Sequence, residues 1–192
     1  MAEAQSSAVA LARRAVALDG ADAEARVALA FTLLIGGDYD GALAESERAL
    51  MISPNLASAH GQLGQTLLMS GRPNEGLAAL ETCVRLDPRD AWLAPRLTQI
   101  AQGLYYSCEY QAAVEAAKRA IRSYPDHTSL YRWLAAALGQ TGQAAEAKAA
   151  LEKAIAVAPG SFDMYVRRRV PWHRPEDHAH MVEGLRKAGW EE

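Results

Sequence analysis

Apolar side chains recur along most of this chain at intervals of three and four residues, the spacing of one face of a helix. Short polar or glycine-containing breaks interrupt the pattern, for example at Gly36-Gly37, Ser70-Gly71 and Thr141-Gly142. Alanine rather than valine or isoleucine supplies much of the apolar content, which favours closely packed helices over a sheet. The pattern predicts an all-α fold of helix pairs joined by short turns.

The pattern of apolar and small residues repeats with a period of 34 residues. Pro54 and Pro88 are 34 residues apart, and so are Pro125 and Pro159. Aligning the first two copies places residues of similar size and polarity in the same positions: Leu29-Ala30 on Leu63-Gly64, Leu33 on Leu67, Gly37 on Gly71, Ala42 on Gly76, Ala49 on Cys83, and Ile52 on Leu86. A Leu-small pair, a later small residue and a closing proline at this period resemble the tetratricopeptide repeat (TPR). The resemblance implies a right-handed TPR superhelix, an α-solenoid, with capping helices at the C-terminal end.

The repeat alignment divides the chain into a half-repeat, four repeats and a pair of capping helices, with the boundaries 1–20, 21–54, 55–88, 89–125, 126–159 and 160–192. The first segment matches only the second helix of a repeat. Two explanations stay open for it: the sequence was cut from a longer polypeptide, which we favour, or this helix is a natural N-terminal cap.

The third repeat departs from the period, since Pro125 follows Pro88 by 37 residues. We place the three extra residues at 90–92. Pro95 fits a helix only in the first turn, so we expect this helix to start late or to bend. Cys108 replaces the turn glycine of the other copies, and a left-handed backbone there would carry strain of about 1 kcal/mol.

Composition and charge narrow the partners that we expect. A net charge of −3 gives no general attraction to nucleic acid or to acidic membranes. No apolar run approaches the length of a membrane span, and no secretory signal pattern opens the chain, so we expect no membrane insertion. Two cysteines, without Cys-x-x-Cys spacing, suit a reducing compartment, and we expect a cytoplasmic protein.

The sequence contains no phosphate loop, nucleophile elbow, zinc-protease helix or Cys-His pair, and we expect a non-catalytic chain without a cofactor. The Gly139–Gly142 segment is glycine-rich but lacks the Lys of a phosphate loop, so we interpret it as a repeat turn. His173, Asp177, His178 and His180 are the one cluster of metal-ligand types. Their spacing does not converge on one helical face, so we expect no metal site, and we expect His178 to be half-buried.

A basic and aromatic patch runs through Arg167-Arg168-Arg169, Trp172, His173 and Arg174. Cations at a helix C-terminus complement the helix dipole, so we expect a solvated helix end. The alternative is a surface that touches phosphate or an acidic partner.

In the TPR family the first helix of each repeat lines the concave groove, so the resemblance assigns the groove residues. They are mostly polar and neutral: Val27, Phe31, Gln62, Gln65, Thr98, Gln99, Gln102, Tyr105, Arg132, Trp133 and Ala136. Amide and phenol groups both donate and accept hydrogen bonds, which suits the backbone of an extended segment. We expect a protein or peptide partner in this groove, with self-association kept open.

TPR adaptors that grip an acidic C-terminal tail use Lys and Arg with two Asn. In the two alignments of this clamp, its positions hold Val27, Phe31, Gln62, Pro95 and Gln99, or Gly61, Gln65, Gln99, Ser129 and Trp133. None of these is a cation, so we do not expect a carboxylate-clamp chaperone tail as the partner.

The last 27 residues or so resemble the end of the repeat arrays that follow the catalytic domain of bacterial class III adenylate and guanylate cyclases, and that also follow winged-helix regulators. The matching residues are Arg167-Arg168-Arg169, Val170-Pro171-Trp172-His173-Arg174-Pro175 and Gly184–Trp190. The resemblance offers an alternative to a free-standing scaffold: a regulatory or oligomerisation module cut from such a cyclase or regulator.

The final helix carries an apolar stripe of His178, Met181, Val182 and Leu185, so one face should dock. We expect it to cap the fourth repeat. The alternative is that the helix, with Trp190, occupies the groove, where Gln65, Gln102, Tyr105 and Arg132 would contact it.

Overall fold

The computed structural model describes residues 2–191, and every regular element within them is a helix. The predicted all-α fold is confirmed. The chain forms two compact units, one up to Asp90 and one from Ala91. Unit 1 contains five helices: α1 (Ala2–Leu18), α2 (Ala23–Ile35), α3 (Tyr39–Ile52), α4 (Ala57–Met69) and α5 (Pro73–Leu86).

Unit 2 begins with the helix pairs α6 (Leu93–Tyr106) with α7 (Tyr110–Ser123), and α8 (Ser129–Gln140) with α9 (Ala144–Val157). A short helix, α10 (Pro159–Phe162), then runs into a π-helical turn, Asp163–Arg167, and the last helix is α11 (Pro175–Lys187).

Consecutive helices of unit 1 pack on one another, α1 on α2, α2 on α3, α3 on α4 and α4 on α5. The Leu-small pairs of the repeat pattern enter these contacts, since Leu29 is 5% exposed and Ala30 is fully buried. Helices α4 and α5 approach closely at Gly64, where an added Cβ would lie 2.8 Å from the carbonyl oxygen of Gly76. Small residues at these positions therefore set the distance between paired helices.

The start of α2 is specified locally. Asp22 caps this helix, and its Oδ1 accepts hydrogen bonds from the backbone N–H groups of Glu24 at 2.9 Å and Ala25 at 3.1 Å. Arg26 then forms a partly buried ion pair with Glu45 of α3, with 2.9 Å between Nη1 and Oε2. The cap and the ion pair fix both the helix start and its contact with the next helix.

Helix α1 packs on α2 and buries Ala12. Its other side exposes two large apolar residues, Leu11 at 68% and Leu18 at 81%.

The turns within the helix pairs use left-handed backbone. Gly37, Gly71 and Gly142 have φ values of 84°, 83° and 73°, and Cys108 has a φ of 61°. A left-handed cysteine is strained because its Cβ crowds the backbone. Pro95 lies in the first turn of α6, where proline needs no hydrogen-bond donor.

The core of unit 2 surrounds α8, which packs on α6, α7, α9 and α11. Its largest fully buried side chains are Trp133, Tyr105, Leu138, Met181 and Leu185. The core therefore includes residues from the last helix as well as from the repeats.

Candidate functional site on the inner face

Helix α11 lies on the side of α8 that the repeat alignment assigns to the groove. The contact is close because the facing residues are small. An added Cβ at Gly139 would lie 2.1 Å from the carbonyl oxygen of Gly184, and one at Gly184 would lie 2.7 Å from that of Ala136. Only glycine permits this approach, so the two helices are matched to each other in shape. The final helix thus takes the groove position, while α10 and the π-helical turn pack at α9.

Polar contacts hold α11 across α6 as well as α8. The hydroxyl of Tyr105 donates to the carbonyl oxygen of His180 at 2.7 Å and accepts from Nε2 of Gln140 at 3.1 Å. Lys187 Nζ donates to Oε1 of the same glutamine at 2.7 Å. The Tyr110 hydroxyl lies 2.9 Å from Nε2 of His180. Burial raises the pKa of Tyr105, so its hydroxyl stays protonated and able to donate.

Aromatic rings form a continuous layer beneath α11. The centroid of Tyr105 lies 5.6 Å from that of Trp133 and 4.4 Å from the ring of His180. Tyr106 meets Trp133 edge to face at 5.4 Å. Such pairs contribute roughly 0.5–1.5 kcal/mol each beyond the area that they bury.

Arg132 is a buried cation, only 6% exposed. Its guanidinium carbon lies 4.6 Å from the ring centroid of Tyr165 and 5.6 Å from that of Trp133. Burial lowers its pKa to about 10, and the Nε atom has no hydrogen-bond partner among the described residues. Cation–π contacts therefore supply the stabilisation that an ion pair normally gives.

His173 is a second buried group, 4% exposed. Burial above all, and then the positive charge of Arg132, lower its pKa to about 3. Its backbone oxygen accepts a hydrogen bond from Arg169. His173 is therefore neutral near pH 7.

Four other predicted groove residues bond within their own helices. Gln62 Nε2 donates to the hydroxyl of Thr66 at 3.2 Å. Thr98 donates to the Ala94 carbonyl at 2.9 Å, Gln99 accepts from Arg96 at 3.1 Å, and Gln102 donates to the Tyr106 hydroxyl at 3.1 Å. Gln62, Thr98 and Gln102 are buried, so these three present little polar surface to a ligand.

The inner face of unit 1, carried by α2 and α4, is more open. Phe31 is 46% exposed, and Val27 and Gln65 are half-buried. These residues give this face an exposed aromatic ring on α2 and a partly exposed side-chain amide on α4.

The structure thus brings Tyr105, Trp133 and Gln102 of the predicted set into one cluster, and it places Phe31 and Gln65 in the other unit. The sequence analysis missed three contributors to the helix contact, Gly139, Gln140 and Gly184. A signal existed, because α8 carries Ala135-Ala136-Ala137 before Gly139, and small residues in succession allow a helix to approach closely.

The residues with metal-ligand chemistry do not converge. Within residues 2–191 no group of three or more His, Cys, Asp or Glu side chains is placed to hold a metal ion. His178 is half-buried, as expected, with its Nε2 3.0 Å from the Val166 carbonyl oxygen. Burial raises the pKa of Asp177 to about 6.

The sequence profile of the tetratricopeptide repeat family matches residues 33–94 and 100–166. The chain belongs to the TPR family. With the profile match and the all-helical architecture, the predicted helical-repeat solenoid class is confirmed. A TPR fold supports a protein-interaction scaffold with protein or peptide partners. A search of the curated proteins finds no match.

Solved TPR structures resemble this chain over most of its length. TTC0263, a thermophilic TPR protein of Thermus thermophilus, is 25% identical, with 85% of this chain and 88% of that one covered and a TM-score of 0.70. A MamA structure is 26% identical, with coverages of 83% and 92% and a TM-score of 0.60. YrrB, described as a TPR protein with an unusual peptide-binding site, is 19% identical, with coverages of 92% and 90% and a TM-score of 0.62.

No helix within residues 2–191 combines the length and apolar character that a membrane crossing requires.

Proposed function

We propose that this TPR protein is a non-catalytic scaffold whose inner helix faces hold segments of polypeptide. The supporting observation is that α11, an amphipathic helix, lies on the inner face of α8. The chemistry of this contact supports the proposal: small residues permit close approach, aromatic rings supply area, and the hydroxyl of Tyr105 donates to the backbone carbonyl of His180.

We propose that a partner segment binds the inner face of unit 1, on α2 and α4. Phe31 supplies exposed apolar area there, and Gln65 supplies an amide that pairs with a peptide backbone. In unit 2 the corresponding residues are covered by the chain's own α11. The remaining predicted site residues, Gln62, Thr98, Gln99, Gln102, Tyr105, Arg132 and Trp133, then support the faces or hold the tail.

Photocrosslinking tests this assignment. Replacing Phe31 with p-benzoylphenylalanine places a reactive ketone on the proposed surface. The same replacement at Thr82, which is partly exposed on α5, is the matched control. In cells we expect position 31 to capture a discrete polypeptide, and capture to fall when Gln65→Arg is added. Equal capture from position 82, or none from position 31, would contradict the proposal.

The parent protein and the cellular location of this chain are further proposals. The link between the tail and cyclase or winged-helix proteins rests on the tail sequence, and the family profile supports only the repeats. A cytoplasmic location and self-association are likewise predictions. A cyclase or winged-helix domain upstream in the full-length gene product would favour a regulatory module over a free-standing scaffold.

A further inference from the structure

A second surface in unit 2 is separate from the inner face. It is an open groove of about 540 Å³ between the π-helical turn and α11, lined by Val166, Arg167, His178, Ala179, Val182, Arg186 and Trp190. His178, Val182 and Arg186 repeat every four residues along one side of α11. Gly184 and Ala188 lie on another side, the one that packs on α8.

The floor of the groove is apolar and firmly packed. Val166 is 2% exposed, Val182 is 8% exposed and Trp190 is 5% exposed. The Trp190 ring packs edge to face on Phe162, with 6.1 Å between centroids. A volume of this size lies within the range of ordinary ligand sites, which combine such apolar floors with a few placed polar groups.

The charged residues that line the groove are both arginines. Arg167 and Arg186 are exposed, and no carboxylate is among the lining residues. Arg167 has an exposed partner in Asp163, with 3.3 Å between Nε and Oδ1. Exposed pairs of this kind contribute little to stability. The guanidinium of Arg167 can therefore donate hydrogen bonds to a different carboxylate in the same fork geometry.

We propose that this groove binds an acidic protein segment in which one large apolar side chain is flanked by carboxylates. The apolar side chain packs on Val166, Val182 and Trp190, and the carboxylates pair with Arg167 and Arg186. An arginine can donate two parallel hydrogen bonds to one carboxylate. Such bidentate pairs at Arg167 and Arg186 would orient the bound segment as well as attract it.

A protein segment fits this groove better than nucleic acid does. Binding a nucleic acid strand takes a basic stripe along the backbone and exposed rings on which bases stack. The groove carries two arginines at its rim and not a basic stripe, and the chain has a net charge of −3. Of the basic and aromatic patch described from the sequence, Arg167 is the residue that lines this groove.

The test uses the full chain and fluorescein-labelled octapeptides, each with one Leu, Phe or Trp flanked by Glu at every spacing from one to four residues. Fluorescence anisotropy should show saturable binding for at least one peptide and none for its Lys-for-Glu counterpart. The double variant Arg167→Gln, Arg186→Gln should weaken that binding about tenfold or more. The double variant Arg119→Gln, Arg122→Gln removes the same charge from α7 and should leave the affinity unchanged.

Two further variants locate the site. Ala179→Glu adds a like charge at an exposed lining position and should weaken binding without loss of fold. Phe31→Ser changes the unit 1 face and should have no effect, so failure of the groove is distinguished from failure of the proposed function. The inference is overturned if no acidic peptide binds, if Lys peptides or an oligothymidine bind equally well, or if the glutamine variant retains full affinity.

Discussion

At the scale of single residues, Cys108 is a site of backbone strain. It occupies the turn between α6 and α7 with a φ of 61°, where the equivalent turns have glycine. Its side chain is exposed, so no packing offsets the backbone strain.

Cys108→Gly should therefore stabilise the protein by about 1 kcal/mol, because glycine adopts left-handed backbone without a Cβ clash. Urea unfolding followed by circular dichroism measures the change. Cys108→Ala is the matched control, since it removes the thiol but keeps the Cβ, and it should give no gain. Equal stabilisation by both variants would show that the thiol, and not the backbone, was the cause.

His173 makes stability depend on pH. Its folded-state pKa of about 3 lies below the value of about 6.5 in an unfolded chain. Its contribution is therefore present above pH 6.5 and is lost as the pH falls towards 3. Asp177 acts in the opposite sense: its folded-state pKa is raised to about 6, so its contribution is present below pH 4 and is lost as the pH rises through 6.

On acidification from pH 7 to 4.5, His173 should lower the free energy of unfolding by about 2–3 kcal/mol and Asp177 should offset about 2 kcal/mol of that loss, so we expect a net loss of under about 1 kcal/mol. His173→Gln should reverse this dependence, and Asp177→Asn should steepen it. Urea titrations at each pH provide the measurement. A His173→Gln variant with an unchanged pH profile would refute the assignment.

At the scale of helices, α11 shows where sequence reasoning succeeds and where it stops. Its apolar stripe follows from the spacing of Met181, Val182 and Leu185, and its start follows from Pro175 and the acidic residues after it. The stripe does not say which surface it meets. That depends on Gly139 and Gly184 facing each other across 45 positions of sequence, a property of the folded chain.

The repeat helices were easier to predict because their partners are neighbours in sequence. The turn glycines and the small residues recur with the period of 34, so their positions in the repeat are predicted from the sequence alone. The groove side chains were harder: Gln62, Gln102 and Arg132 lie on helices as expected, but their burial depends on what packs above them. Sequence periodicity locates a residue on one face of its helix. It does not predict which distant segment packs on that face.

Gly139→Ala should weaken the docking of α11. The added methyl group would meet the Gly184 backbone, which cannot move as a flexible side chain can. We expect a loss of about 1–3 kcal/mol in unfolding free energy, despite the better helix propensity of alanine. Gly160→Ala in α10 is the control, since an added Cβ there meets no atom within 4 Å. A Gly139→Ala variant as stable as the control would contradict the close approach.

At the scale of the whole molecule, stability should be distributed among neighbouring helices, as it is in other repeat proteins. All four tryptophans, Trp92, Trp133, Trp172 and Trp190, belong to unit 2. Tryptophan fluorescence therefore reports on unit 2, while far-ultraviolet circular dichroism reports on the helices of both units.

Gly64→Ala tests this distribution from unit 1. The added Cβ would lie 2.7 Å from Cγ of Leu80 and 2.8 Å from the Gly76 carbonyl oxygen, so α4 and α5 must separate. We expect the urea midpoint by circular dichroism to fall, and the midpoint by tryptophan fluorescence to fall less. Identical shifts by both probes would show that the chain unfolds as one cooperative unit.

The central claim is that the inner face of α8 binds a helical segment and that α11 fills it. Amide hydrogen exchange on the intact chain tests this claim most directly. The measurement compares residues 175–187 with residues 129–140. We expect the amides of α11 to exchange far more slowly than those of an undocked helix, because α11 must leave the face of α8 before its hydrogen bonds open. Fast exchange throughout α11 while α8 stays protected would contradict the claim.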